Sequence, residues 1–171
     1  MSKQFLPLLL LLANPAAANS ELTDIAIGVG TGEAGVNATR AALVQTIEPF
    51  WFGHLFPQLT LQMEYGANRW QDNASTHYAY SLLPNIRWNW QPSAPWQWFT
   101  ELGVGVSYLE ETVIDHQHLG SHWQFEDRLG IGISHERWRW VLRGYHYSNG
   151  GFHTPNDGLN LVNFEVEWRL P

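Results

Sequence analysis

"WQWFTELGVGVSY", residues 96–108, alternates with a period of two. Trp98, Leu102, Val104, Val106 and Tyr108 share one face; Glu101, Gly103, Gly105 and Ser107 share the other. Successive side chains of a strand point to opposite faces, so the stretch reads as a β-strand with one apolar and one polar wall. The pattern recurs along the chain. In "PNIRWNWQ" (residues 84–91), Pro84, Ile86, Trp88 and Trp90 oppose Asn85, Arg87, Asn89 and Gln91. In "WQFEDRLGIGIS" (residues 123–134), Trp123, Phe125, Leu129, Ile131 and Ile133 oppose Gln124, Glu126, Arg128, Gly130, Gly132 and Ser134. Near the C-terminus, Val162, Phe164, Val166, Trp168 and Leu170 oppose Asn163, Glu165, Glu167 and Arg169.

Alternation alone fits a soluble sandwich as well as a barrel. The aromatic residues separate the two. The chain has 10 Trp among 171 residues, and tryptophan is favoured where one side is apolar and the other wet. Trp88, Trp90, Trp98, Trp138, Trp140 and Trp168 fall near strand ends bordering short turns and the C-terminus; Tyr108, Trp123 and Phe125 fall near the opposite ends. Two aromatic girdles around an aliphatic band are the pattern of an outer-membrane barrel. The expected fold is all-β: an eight-stranded antiparallel up-and-down transmembrane β-barrel. Strands are expected near 22–31, 38–49, 59–70, 77–91, 96–110, 122–134, 137–149 and 158–170. "QPSAPW" and "SHERW" are tight turns, whereas the segments near 30–38, 70–77, 110–121 and 149–158 are longer and more polar. "FWFGHLFPQ" (residues 50–58) is long and aromatic for a periplasmic turn and reads as a lip on the interface. Eight strands leave an interior just wide enough for side chains, which argues against a solute pore.

The N-terminus reads as an export signal. Lys3 is followed by the apolar run "FLPLLLLLA" (residues 5–13) and by Ala16, Ala17 and Ala18 as small residues for cleavage. The expected division is 1–18 signal peptide and 19–171 barrel, and no later stretch has the ~20 apolar residues of a membrane helix. The chain lacks cysteine, so neither disulfides nor thiolate metal sites contribute. A net charge of -7 argues against nucleic acid as a partner.

In "RGYHYSNGGF" (residues 143–152) a histidine and a serine stand two residues apart. Trp138, Trp140, Leu142, Gly144, His146 and Ser148 share one parity; Arg137, Arg139, Val141, Arg143, Tyr145 and Tyr147 share the other. The arginines belong inside, so His146 and Ser148 face lipid at the outer end of the strand. Same-face residues are ~6.7 Å apart along a strand, within side-chain hydrogen-bonding reach. Two readings are open at this point: polar groups tolerated at headgroup level, or a nucleophile and its base.

The wider stretch "HYSNGGFHTPNDGLN" (residues 146–160) resembles the motif of the PagL-type lipid A 3-O-deacylases of Gram-negative outer membranes. The matching elements are His146, Ser148, Asn149, Pro155, Asn156, Asp157 and Gly158. The resemblance implies an esterase without cofactor or metal that removes the 3-hydroxyacyl chain at position 3 of lipid A, from the outer wall of the barrel. It makes Ser148 the nucleophile and His146 its base, with Asn149 or the backbone near Gly150 and Gly151 as oxyanion donors. Its partners are lipopolysaccharide and outer-membrane lipids, and a homodimer stays open. The family's third residue is a glutamate; here that position is Asn160, which faces outward with Val162 and Phe164. Asn160 can orient the imidazole but cannot supply charge. Asp157 is the nearest carboxylate and reads as a turn residue, and Glu165 points inward. The departure leaves two alternatives: a structural or adhesive barrel that has lost the acid, and an esterase of another envelope lipid. Asp115, His116, His118 and His122 form a histidine-rich loop without diagnostic metal spacing. His153 reads as a loop residue near headgroups, and Arg128, Arg139 and Arg143 are expected to pair inside with Glu101, Glu126, Glu165 and Glu167.

Overall fold

The structure, a computed structural model, describes residues 22–47, 55–90 and 93–171. The segment read as an export signal and most of the aromatic stretch 50–58 lie outside the described residues. The strands are β1 (Leu22–Gly32), β2 (Asn37–Ile47), β3 (Leu59–Gln71), β4 (Thr76–Asn89), β5 (Trp96–Leu109), a short hairpin of β6 (Val113–Ile114) and β7 (Gln117–His118), β8 (Trp123–His135), β9 (Trp138–Ser148) and β10 (Leu159–Arg169). The eight long strands form one closed barrel in the order β1-β10-β9-β8-β5-β4-β3-β2, every pair antiparallel. Closure leaves no edge with unpaired backbone groups, which is what hydrocarbon demands. The alternating pattern places the described strand ends within two residues of where they are found. It does not reveal the β6–β7 hairpin, whose strands are too short to carry a period.

The burial is inverted relative to a soluble protein. Leu129, Trp123, Val29 and Ile27 are more than 60 % exposed on the outer wall, while Arg143, Glu165 and Glu167 are fully buried inside. Such an arrangement is stable only where the surroundings of the wall are apolar. Trp88, Trp90, Trp98, Trp138 and Trp168 stand exposed at the end where β1 begins and β10 finishes, and Tyr108, Trp123 and Phe125 at the other. Trp70 departs from the girdles. It is fully buried and meets Tyr147 edge-on at 4.8 Å between ring centroids.

Inside, charges are paired one against another. Arg143 bonds Glu101, Glu165 and Glu167; Arg87 bonds Glu101 at 3.0 Å and Glu167 at 2.8 Å. Arg40 and Arg128 each reach Glu64 at 2.7 Å, and Arg139 bonds Asp24. Arg40, Arg87, Glu64 and Asp24 extend the network beyond the residues expected from the sequence. Removing one partner of such a group strands a buried charge, at a cost of about 3–5 kcal/mol. Towards the outer end the network gives way to an apolar cluster that includes Val36, Trp70, Leu109, Ile114, Leu119 and Tyr147. Ile114 and Leu119 come from the β6–β7 hairpin and its exit, so this loop caps the barrel.

The cap is tied to the β3–β4 turn. The Asp72 carboxylate accepts from His77 Nε2 at 2.9 Å, from the Ala74 and Ser75 amides at 2.8 and 2.6 Å, and from the Asp115 amide at 3.0 Å. The hydrogen bond from His77, followed by those from the backbone, holds this carboxyl below its ordinary range.

Candidate active site

β9 and β10 lie side by side, with Gly144 opposite Val162 and His146 opposite Asn160. His146 and Asn160 are fourteen residues apart in sequence and adjacent on the outer wall. The His146 Nδ1 lies 2.7 Å from Asn160 Oδ1. An amide oxygen only accepts, so Nδ1 is the donor in this hydrogen bond, and in the neutral ring that arrangement leaves the lone pair on Nε2. Ser148, one same-face step beyond His146, is the last residue of β9 and is half-buried.

Gly158 touches the other edge of the imidazole. Its φ is +75°, a region that L side chains rarely adopt, and a Cβ there would lie 3.0 Å from His146 Cε1 and 3.7 Å from Nε2. Glycine is thus required both by the backbone and by the ring. Gly158→Ala is expected to leave the barrel closed, judged by anomalous migration of unboiled protein on gels, and to lower the rate by about 10²-fold through displacement of the base. Activity within threefold of wild type would show that the ring is not held by this contact.

The β9–β10 loop is built around Asn149, which is buried. Its amide nitrogen donates to Leu119 O and His153 O, both at 2.9 Å, and its amide oxygen accepts from Gly151 N at 2.9 Å. The Asn149 backbone N–H goes to Asn156 Oδ1 at 3.0 Å. Both side-chain N–H groups of Asn149 are therefore engaged in holding the loop. Gly150 and Gly151 follow with φ of 66° and 79°, and a Cβ on Gly150 would lie 2.9 Å from the Phe125 ring.

Asp157 faces the hairpin and not the histidine. Its carboxylate accepts from His118 N at 2.8 Å and its own N–H donates to His118 O at 3.1 Å. The histidine-rich loop thus meets the site through its backbone. His122 Nδ1 is engaged with Leu109 O at 2.8 Å, and His153 is exposed. Among the described residues no group of three metal-ligating side chains converges.

Two carboxylates near the site are not singled out by the sequence motif. β1 stops at Gly32, opposite Leu161, so the next amide of β10 lacks a strand partner on that side. The Glu33 carboxylate accepts it, at 3.3 Å from Asn160 N. Asp127, on β8, is directly opposite His146 on its other flank and is exposed on the outer wall. The parity that places Phe125 and Leu129 outward also places Asp127 there, so a signal existed. Nothing in the sequence signals Glu33, which reaches the site from a 3₁₀ turn over residues Glu33–Gly35.

The family model of the lipid A 3-O-deacylases (PagL) matches residues 35–169. The lipid A deacylase PagL of Pseudomonas aeruginosa is 29 % identical over 175 residues, covering 99 % of each chain. Its counterpart of Bordetella bronchiseptica is 28 % identical over 151 residues, covering 85 % of this chain and 83 % of that protein. The crystal structure of the outer membrane enzyme PagL superposes with a TM-score of 0.78 at 26 % identity, over 86 % of this chain and 99 % of that one. Neisserial surface protein A, at 10 % identity and a TM-score of 0.54, shares the fold alone. With its family match running through nearly the whole barrel, the chain belongs to the lipid A 3-O-deacylase (PagL) family.

Proposed function

We propose that this protein is an outer-membrane esterase that hydrolyses the ester-linked 3-hydroxyacyl chain at position 3 of lipid A, with residues 1–18 as its export signal. The observation that carries the mechanism is the His146–Asn160 pair, with Ser148 beside it, on a wall that faces hydrocarbon. An active site there meets its substrate within the bilayer. Asn160 fixes the imidazole so that Nε2 is free to take the Ser148 proton. Ser148 Oγ forms a bond to the ester carbonyl carbon. The tetrahedral oxyanion collapses, the sugar oxygen leaves with the proton held by His146, and the chain stays on Ser148. Water, deprotonated by the same histidine, bonds to the acyl carbon; the bond to Ser148 Oγ then breaks as the histidine returns the proton to Oγ, and the fatty acid leaves.

For the oxyanion, the backbone N–H of Gly150 is our assignment. The Asn149 and Gly151 amides are directed to Asn156 Oδ1 and Asn149 Oδ1, and the Asn149 side chain is committed to the loop. A single preorganised donor of this kind is worth about 10²–10³ in rate.

Mass spectrometry of lipid A from cells expressing the protein is the test. Loss of one 3-hydroxyacyl chain, with none lost in cells carrying an empty vector, is the expected result. Unchanged lipid A with altered phospholipids would favour an esterase of another envelope lipid. No change in either would favour a barrel that has kept the scaffold without the chemistry.

A further inference from the structure

The β6–β7 hairpin spans the outer mouth of the barrel from one wall to the opposite one. In the closed strand order, the β3–β4 turn and the β9–β10 loop face each other, with β5 and β8 between them on one side and β2 and β1 on the other. The hairpin is bonded to both.

At the β3–β4 side the anchor is Asp72, whose two oxygens divide the work. Oδ1 accepts from the Ala74 and Ser75 amides of its own turn. Oδ2 accepts from His77 Nε2 and from the Asp115 amide at the tip of the hairpin. Asp115 has a φ of 51°, a conformation that non-glycine residues seldom adopt, and its N–H is the one that Asp72 holds. His77 is buried, and its Nδ1 lies 2.6 Å from Glu111 Oε2, on the segment that enters β6.

At the opposite side the hairpin's exit holds the β9–β10 loop. His118 exchanges two hydrogen bonds with Asp157, and Leu119 O accepts from Asn149 Nδ2. Gly120 follows with a φ of 66°, and a Cβ there would lie 2.1 Å from Pro155 O and 3.2 Å from Asn149 Nδ2. Backbone thus runs directly against backbone, which only glycine allows. The loop so held begins at Ser148, carries the Gly150 amide and ends at Gly158 against the His146 ring. With two successive left-handed glycines, Gly150 and Gly151, it has little stiffness of its own. Its shape is set by what it is tied to.

We propose that the β6–β7 hairpin is a strap that positions the β9–β10 loop for catalysis, and that Asp72, across the mouth from Ser148, is the positioning residue that anchors it. The inference rests on Ser148 and His146 as the reacting pair. Asp72 acts through the turn and the hairpin, to which its hydrogen bonds go. An oxyanion donor works only when it is preorganised, and a displacement of about 1 Å far from the chemistry can cost about 10²-fold.

Asp72→Asn is the test. Oδ1 can keep both turn bonds, while an amide nitrogen in place of Oδ2 offers no acceptor to the Asp115 N–H. Gel migration of unboiled protein checks closure. Hydrogen exchange read by mass spectrometry reports on the strap without relying on activity. Amides of residues 149–153 should exchange about fivefold faster than in wild type, although they lie across the mouth from the substitution. On lipid A in mixed micelles kcat should fall about tenfold, as loss of a hydrogen bond to a charged group does. KM should stay within about twofold, because Asp72 makes no contact that binds substrate. Asp157→Ala cuts the strap at its other end and should cost a similar factor. The double variant should be no slower than the slower single variant, since a strap released at either end holds nothing; independent effects would multiply to about a hundredfold. Unchanged exchange in the loop, unchanged kcat, a rise in KM alone, or multiplied losses would overturn the strap. Turnover retained in Ser148→Ala would overturn it from the other side, by removing the nucleophile that the loop serves.

Discussion

Ser148→Ala is expected to lower lipid A deacylation by at least ~10³-fold, as loss of the nucleophile does in serine triads. The fold should survive. Ser148 ends β9 at the outer rim, and its side chain belongs neither to the interior ion network nor to the apolar cluster beneath the cap. The measurement is the initial rate on lipid A in mixed micelles, with closure of the barrel checked by gel migration before and after boiling. A properly closed variant with wild-type turnover would remove Ser148 from the mechanism.

Asn160 carries the second large expectation. Asn160→Ala removes the acceptor of the Nδ1 proton and frees the imidazole to rotate and change tautomer. In a serine triad a mis-set tautomer lowers the rate by as much as ~10⁴-fold. Asn160→Glu should keep or raise the rate, because a carboxylate in that position both accepts the same proton and stabilises the imidazolium that forms. Asp157→Ala should cost far less, since Asp157 bonds the backbone of His118 on the hairpin. An inactive Asp157→Ala beside an active Asn160→Ala would assign the acid to the loop and contradict this arrangement.

The barrel is legible in the chain because each long strand states its own wall. In residues 96–108 the parity of Glu101 and Val104 suffices to say which faces inward, and Glu101 is buried and Val104 exposed as that parity requires. The parity of residues 137–149 likewise suffices to place His146 and Ser148 on the outer wall. Asn160 is legible only through the motif's spacing, and its contact with His146 depends on the register of β10 against β9. The loop is less legible. Asn149 has the composition of an oxyanion donor, yet its amide holds Leu119 and His153, and the β6–β7 hairpin that receives it has no period to betray it.

Sequence alone thus determined the wall on which each side chain stands, because facing is a local property with a period of two. Tertiary structure decided which residues become neighbours. Arg40 meets Glu64, Asp127 flanks His146, and Glu33 reaches Asn160 across 127 positions. Those pairings depend on how eight strands are staggered when the sheet closes on itself. The stagger is a property of the whole barrel, shared by every ladder at once, and no single strand encodes it.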